Sequence, residues 1–178
     1  VVLDYEDMED ACTVLANPDT NYGAYQFLLM HENDANHPLM KWDFTDIPAG
    51  SIITNATLQV YIELGAGSPT ETRTVGFYNV TQDWVEAEVT HNIYSTGNSW
   101  TTPGGDYGDL DASVEVLNSG WYFVDVTDVI TDQFDGTLDN YGLWVSKLDN
   151  AYNYKMRSSE YWIVSERPLL TVTFTAAP

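Results

Sequence analysis

Apolar and polar residues alternate in short segments along this chain, a pattern typical of half-buried β-strands. In the clearest segment, Ala56–Leu64, every second side chain is aliphatic and the intervening ones include Tyr61 and Glu63. Near the C-terminus, residues 170–175 alternate in the same way between large apolar side chains and threonine. Both segments predict strands with one face in a core and the other toward solvent.

Seven further segments, bounded by Gly, Pro, Asn or Asp, are predicted as strands on the same grounds. They are Asp10–Leu15, Tyr25–His31, Leu39–Phe44, Thr74–Val80, Trp121–Asp125, Gly142–Leu148 and Tyr154–Ser158. A short helix is predicted at Asp128–Phe134, with Thr127 as its N-cap and Gly136 at its end. Many short strands between turn residues predict an all-β fold, a two-sheet antiparallel β-sandwich with one short helix.

Two long polar connections, Gly65–Thr72 and Tyr94–Asp111, lack periodicity and are predicted to be loops. No linker composition and no internal repeat divides the 178 residues. We therefore expect a single domain over residues 1–178.

Acidic residues dominate the charge of the chain. It has 27 Asp and Glu against 6 Lys and Arg, which gives a net charge of −21. Such a chain repels nucleic acid and anionic membranes, because phosphate binding needs a basic patch. No apolar stretch approaches the roughly 20 residues of a membrane helix. We therefore expect no nucleic-acid partner and no membrane insertion.

Candidate catalytic chemistry is sparse. Cys12 is the only cysteine, so the chain has no intramolecular disulfide and no cysteine-based zinc site, and its apolar neighbours predict a buried side chain. His31, His37 and His91 have no metal-binding spacing, and no nucleophile elbow or phosphate-binding loop occurs. The sequence therefore predicts a protein that is not an enzyme.

An ordered set of motifs covers most of the chain. In chain order they are Asp10–Val14, Pro18–Gly23, Leu39–Phe44, Ile47–Gly50, Ala56–Tyr61, Val80–Glu86, Gly120–Trp121, Asp125–Val129, Asn140–Leu143, Ser158–Glu160 and Arg167–Leu170. In this order and spacing, the chain resembles the DNRLRE (disaggregatase-related) family of jelly-roll domains.

The resemblance implies a jelly-roll topology similar to that of carbohydrate-binding modules, and a mostly non-catalytic role. It also implies an extracellular location, or one on a cell or particle surface, since members are attached to surface proteins and polysaccharide-active enzymes of archaea and bacteria. Val1 in place of Met fits either a processed secreted protein or a segment cut from a longer chain.

The segment Gly104–Asp111 carries the most concentrated acidic chemistry. It places Asp106, Asp109 and Asp111 beside flexible glycines. Hard cations prefer such clusters of oxygen atoms, so these three residues are predicted ligands of calcium (Ca²⁺). A solvated acidic segment without a bound ion is the alternative.

Two Tyr-Gly dipeptides follow further candidate oxygen donors. These donors are Asp19, Asn21, Asp139 and Asn140. Turn formation by Asn and Asp explains their positions more simply than cation binding does.

Aromatic residues near the same acidic segment are candidate sugar contacts, because aromatic faces stack against the C–H faces of sugars. The predicted carbohydrate-binding residues are Trp100, Tyr107, Trp121 and Tyr122. Packing in the core is the alternative for each of them. Trp42, Trp84 and Trp144 lie on predicted strands or in the ordered motifs, and are predicted to be core residues or loop anchors.

The leading functional hypothesis is a surface module that binds polysaccharide or cell-surface glycan, or mediates adhesion, with Ca²⁺ as a stabilising ion. Two alternatives stay open. One is a structural subunit of a filament, surface layer or phage virion (a decoration protein), whose partners are copies of itself or a coat protein. The other is a polysaccharide-cleaving enzyme domain.

Overall fold

Antiparallel strands make up most of the structure, a computed structural model that describes residues 1–31, 35–65, 71–148 and 153–177. The strands are β1 (Val2–Leu3), β2 (Met8–Val14), β3 (Phe27–Met30), β4 (Asn36–Trp42), β5 (Ile52–Leu64), β6 (Arg73–Val80), β7 (Ile93–Ser95), β8 (Asn98–Ser99), β9 (Tyr107–Val116), β10 (Gly120–Asp125), β11 (Leu143–Lys147), β12 (Tyr154–Arg157) and β13 (Leu169–Thr175). Helix α1 spans Thr127–Asp135, and a 3₁₀ turn spans Val164–Glu166.

The strands form two main sheets and a small hairpin of β7 and β8. One sheet has the order β1-β13-β5-β12-β3, and β10 pairs with the opposite edge of β5. The other sheet has the order β2-β4-β11-β6-β9. The connections β3 to β4, β5 to β6, β9 to β10 and β11 to β12 each pass from one sheet to the other, which is the jelly-roll winding. The predicted two-sheet antiparallel β-sandwich is confirmed.

The main core lies between the two sheets and follows from side-chain alternation. Leu58, Val60 and Ile62 of β5 are fully buried, as is Phe77 of β6 in the facing sheet. The intervening side chains of β5 stay partly accessible on the outer face of its sheet. The sandwich therefore has one apolar interior and two outer faces.

A second, smaller core forms where the segment between β6 and β9 folds back over β4 and β11. Trp84, Trp100 and Trp144 pack together there, each at most 4% exposed. Each indole N–H donates to a backbone carbonyl: Trp84 to Tyr141 at 2.9 Å, Trp100 to Thr90 at 3.0 Å and Trp144 to Gly104 at 3.1 Å. The buried N–H groups are thus satisfied. The predicted core positions of Trp42, Trp84 and Trp144 are confirmed.

The predicted loop Tyr94–Asp111 is wrong in part, because it contains the end of β7, all of β8 and the start of β9. β9 lies at the edge of its sheet, and its pairing with β6 is interrupted at Tyr78 by register shifts. Its first five residues are exposed and include glycine and aspartate, which strands disfavour. The alternation that identifies a half-buried strand is therefore missing. Residues 66–70 of the other predicted loop, Gly65–Thr72, lie outside the described residues.

Helix α1 confirms the predicted helix, but its N-cap is not Thr127. Thr127 is the first helical residue; its hydroxyl donates to the Asp125 carboxylate (2.6 Å) and accepts the N–H of Ala56 (2.9 Å). Thr127 thus ties the start of the helix to β5. Gly136 ends the helix with φ of 82°, as predicted.

Two Asn-Tyr-Gly turns bring distant segments into close contact. The Asn21 amide donates to the carbonyls of Glu86 (2.7 Å) and Val89 (2.8 Å), and the Asn140 amide donates to the carbonyl of Trp42 (2.8 Å). In the described residues, both amides therefore serve the backbone of another segment.

Cys12 is fully buried on β2, as predicted. Its sulfur accepts the N–H of Leu29 on β3 at 3.3 Å. Burial raises the pKa of the thiol to about 12, so this cysteine is a packing residue at neutral pH.

Within the described parts of the chain, no helix is both long enough and apolar enough to cross a membrane.

Replacing Gly142 with alanine should destabilise the fold more than the same change at Gly136. Both glycines have positive φ, of 85° and 82°. Alanine strains the backbone at either position by about 1 kcal/mol. A β-carbon at Gly142 would also overlap the carbonyl oxygen of Met40, whereas at Gly136 it would meet no atom within 4 Å. We expect Gly142→Ala to cost about 2 kcal/mol more than Gly136→Ala in urea denaturation. Equal losses would contradict the close approach of this turn to β4.

Candidate functional site

The structure does not bring the four predicted sugar-binding aromatic residues together. Trp100 belongs to the smaller core and is 4% exposed, so its ring offers no open face. Tyr107, at the start of β9, is 42% exposed and stacks on Trp144 with ring centroids 3.9 Å apart. Tyr107 therefore lies on the sheet that contains β6 and β11.

Trp121 and Tyr122 lie on β10, in the opposite sheet, and point to opposite faces of it. Tyr122 packs against the main core, and its hydroxyl donates to the carbonyl of Asn118 at 2.6 Å. Trp121 lies on the outer face. Sugar contact by the four residues stays a prediction; of these, Trp121 and Tyr107 have accessible rings, on different sheets.

Two of the three predicted calcium ligands, Asp106 and Asp111, have separate backbone partners. The Asp106 carboxylate accepts two backbone N–H bonds from residues 101–102, both of 2.8 Å. The Asp111 carboxylate accepts the N–H of Asn79, and burial, with Asp109 nearby, raises the pKa of Asp111. Among the described residues, these three carboxylates do not form a group with oxygens within 4.8 Å of one another. Calcium binding by them stays a prediction.

A continuous series of ring and guanidinium contacts crosses the outer face of the six-stranded sheet. We call it the aromatic row; it consists of Trp121, Tyr61, Arg157, Tyr161 and Trp162. The first two rings meet edge to face at 5.3 Å, and the guanidinium lies 3.6 Å from the centroid of the Tyr61 ring and 4.5 Å from that of Tyr161. The last two rings stack at 4.9 Å. The row therefore links β10, β5 and β12 to the segment that follows β12.

Strand register assembles the first half of the row. Trp121 is paired with Tyr61 across β10 and β5, and Phe123 is paired with Gln59 two residues further along. Residues two apart on a strand share a face, so Trp121 and Phe123 present their rings side by side. Phe123 is 63% exposed. This end of the row is an apolar surface open to solvent.

The segment of residues 161–167 forms the other half of the row and lies against the same face. The Tyr161 ring is buried against Phe27 of β3 at 5.5 Å, and the Arg167 guanidinium donates to the Tyr161 carbonyl at 2.8 Å. These contacts leave Trp162 with 64% of its surface exposed. A small cleft of about 170 Å³ lies between this segment and Gln59.

An ion-pair network fixes the centre of the row. The Glu63 carboxylate of β5 bonds Lys155 at 2.9 Å and Arg157 at 3.1 Å, and Arg157 also contacts Glu166. Burial opposes ionisation of Glu63, but its bonds to Lys155 and Arg157 outweigh burial and lower its pKa. The guanidinium is thereby held over the Tyr61 ring.

A second concavity, of about 490 Å³, is lined by acidic residues around one lysine. Lys41 pairs with Glu9 at 3.1 Å and with Asp83 at 3.3 Å. Two aromatic residues line this groove, but Trp42 is 1% exposed and only Tyr141 is accessible at its rim. The groove offers hydrogen-bonding groups but little aromatic surface.

Of the accessible rings in or beside the row, the sequence predicted Trp121 as a sugar contact. Phe123 and Trp162 were not predicted. The alternation over Trp121–Asp125 places Trp121 and Phe123 on one face, which is a signal that could have found Phe123. Trp162 has no such signal, because the irregular segment between β12 and β13 determines its position.

The structure is thus a jelly-roll β-sandwich with a ring-lined outer face. The model of Carbohydrate-binding module family 96 matches residues 3–174. The chain therefore belongs to carbohydrate-binding module family 96. The resemblance seen in the sequence is confirmed as far as a domain of the carbohydrate-binding-module kind, and the DNRLRE name itself stays a prediction. No curated protein matches the chain significantly.

Replacing Glu63 with glutamine should reduce the loss of stability in acid. Because the pKa of Glu63 is lowered in the fold, its ion pairs stabilise the protein above its ordinary pKa of 4.5, and this stabilisation is lost as pH falls through the lowered pKa. Melting temperatures between pH 3 and pH 6 should therefore fall less steeply in Glu63→Gln than in the wild type. Glu71→Gln is the matched control, since that carboxylate is 78% exposed. Identical profiles for wild type and Glu63→Gln would refute the network.

Proposed function

We propose that the chain is a non-catalytic module that binds a glycan chain on the outer face of the six-stranded sheet. The observation that carries the proposal is the aromatic row, with Phe123 beside one end and Trp162 at the other, each more than 60% exposed. Membership of a carbohydrate-binding module family supports a glycan or polysaccharide as the partner.

Exposed rings of this size have a physical cost that a ligand would remove. Apolar surface in contact with water is unfavourable by about 25 cal/mol per Å², and exposed rings grouped on one face are typical of interaction sites. Sugars present apolar C–H faces that cover a ring while their hydroxyls stay hydrated. Trp121, Phe123 and Trp162 would form such contacts.

Polar side chains beside the rings would select among sugars. Gln59 is paired with Phe123 across β5 and β10, and it also lines the small cleft beside residues 161–167. Its amide can donate and accept hydrogen bonds with hydroxyl groups. Asp125, exposed on the same strand as Phe123, is a further acceptor.

The net charge supports a neutral glycan over a polyanionic one. At −21 the protein repels anionic chains at long range. Arg157 in the row is already paired with Glu63 and Glu166, and the neighbouring Lys155 is paired with Glu63. A neutral polysaccharide meets no such repulsion. Binding at a cell surface or outside the cell, and adhesion through such binding, belong to this proposal.

The alternatives of a filament or virion subunit and of a cleaving enzyme stay predictions. The non-catalytic assignment is tested by incubating the protein with each polysaccharide that it binds. We expect no new reducing ends and no unsaturated sugars. Release of either product would make the chain an enzyme.

Removing the exposed rings at the two ends of the row, Phe123 and Trp162, should weaken glycan binding without unfolding the protein. Affinity electrophoresis against neutral polysaccharides (glucans, mannans and xylans) and against polyuronates would first identify the ligand. We expect retardation by a neutral polysaccharide, and about tenfold weaker binding for Phe123→Ala and for Trp162→Ala. Tyr107→Ala is the control, because this exposed ring lies on the other sheet.

Three outcomes would contradict the proposal. Failure of every polysaccharide to retard the wild type would exclude glycan binding under these conditions. Retardation by polyuronates alone would overturn the preference for neutral chains. Loss of binding in Tyr107→Ala, with normal binding in Phe123→Ala and Trp162→Ala, would move the site to the β9 sheet.

A further inference from the structure

Three carboxylates from distant parts of the chain lie close together at β2. Asp10 lies on β2, Glu86 in the segment between β6 and β7, and Glu160 directly after β12. One carboxylate oxygen from each lies within 4.8 Å of the others. Each also belongs to a motif noted in the sequence, but neither the fold nor the glycan site accounts for the cluster.

Asp10 is the most unusual member, because it is fully buried. Its Oδ2 atom accepts the N–H of Ser159 at 2.7 Å, whereas among the described residues Oδ1 has no hydrogen-bond partner. The Oε2 atom of Glu160 is also buried and lacks a partner in the described residues. An orphaned, fully buried carboxylate oxygen is costly unless something binds it.

In the part of the chain that the structure describes, none of the three carboxylates forms an ion pair with a cation. Burial, followed by the charge of Glu160, raises the pKa of Asp10 well above its ordinary value. Lys41, whose charge lowers the pKa of Glu86 against the effect of burial, already pairs with Glu9 and Asp83. Either a proton shared by two carboxyls or a bound cation must relieve the repulsion.

The surrounding residues hold the carboxylates in place. Glu86 accepts the N–H of Asp10 at 2.9 Å, and Asn21 holds the Glu86 backbone. A β-carbon at Gly23 would lie 2.5 Å from the Glu86 carbonyl oxygen, so the absence of a side chain there permits this position. Glu160 accepts the hydroxyl of Ser159 at 2.7 Å. The arrangement is built from hydrogen bonds and close backbone packing, not from flexible surface side chains.

We propose that Asp10, Glu86 and Glu160 bind a divalent cation, and that this cation is Ca²⁺. An all-oxygen, carboxylate-rich site suits a hard cation, and Ca²⁺ accepts irregular geometries completed by water. The ion would join β2 to segments 76 and 150 residues away in sequence, since 86 − 10 = 76 and 160 − 10 = 150. It would therefore stabilise the folded state as a long-range cross-link. This inference is independent of the proposed glycan site.

Calorimetric titration of CaCl₂ into EDTA-stripped, buffer-exchanged protein tests the site directly. We expect one Ca²⁺ per chain and a melting temperature that rises with Ca²⁺ concentration. Glu86→Gln and Glu160→Gln should each bind at least about tenfold more weakly. Asp109→Asn is the matched control, since it removes one negative charge from the other predicted calcium site and should leave binding unchanged.

The alternative occupant is the shared proton. If CaCl₂ gives no heat of binding and no change in melting temperature in the wild type, the proposal is overturned in favour of that proton. Normal affinity in Glu86→Gln, with loss in Asp109→Asn, would move the calcium site to β9. Far-UV circular dichroism checks that each variant folds; if Glu160→Gln does not, the half-buried Glu86→Gln decides the question.

Discussion

The alternation of side chains along β5 is the constraint on which the rest of the structure depends. This thirteen-residue strand pairs with β10 along one edge and with β13 and β12 along the other. Its even-numbered positions from 56 to 62 fill the core, and its odd-numbered positions include Tyr61 and Glu63 on the outer face. A shift by one residue would exchange the two sets. The register that buries Leu58 therefore also fixes the ring and the carboxylate that organise the aromatic row.

Features that depend on local periodicity could be predicted from the sequence. The alternation of Ala56–Leu64 located the central strand and assigned Tyr61 to the outer face. The apolar neighbours of Cys12 indicated its burial, and Gly136 marked the end of the helix. Each conclusion needed only residues close in sequence, because side-chain direction in a strand or helix follows from position. The ordered motifs also indicated a domain of the carbohydrate-binding-module kind.

Features that depend on distant segments could not be predicted. β9 is an exposed, bulged edge strand and lacks the alternation of a half-buried one. Trp100 is buried because the segment after β6 folds back, which no local pattern shows. Pairing of Tyr61 with Trp121 requires the register of two strands far apart in the chain. The approach of Asp10 to Glu160 follows only from the folded sandwich, because 149 residues separate Ser159, which donates to Asp10, from it in sequence.

The proposed binding surface is one outer face of the sandwich, and the six tryptophans of the chain report on it separately. In the row, Trp162 is exposed and Trp121 half-buried, whereas Trp42, Trp84, Trp100 and Trp144 are at most 4% exposed. Titration of the ¹⁵N-labelled protein with a bound oligosaccharide, followed through the indole N–H signals by NMR, is the most direct measurement. We expect the indole N–H chemical shifts of Trp121 and Trp162 to change, while those of the other four tryptophans remain unchanged. A shift confined to Trp144, which stacks on Tyr107, would contradict this expectation.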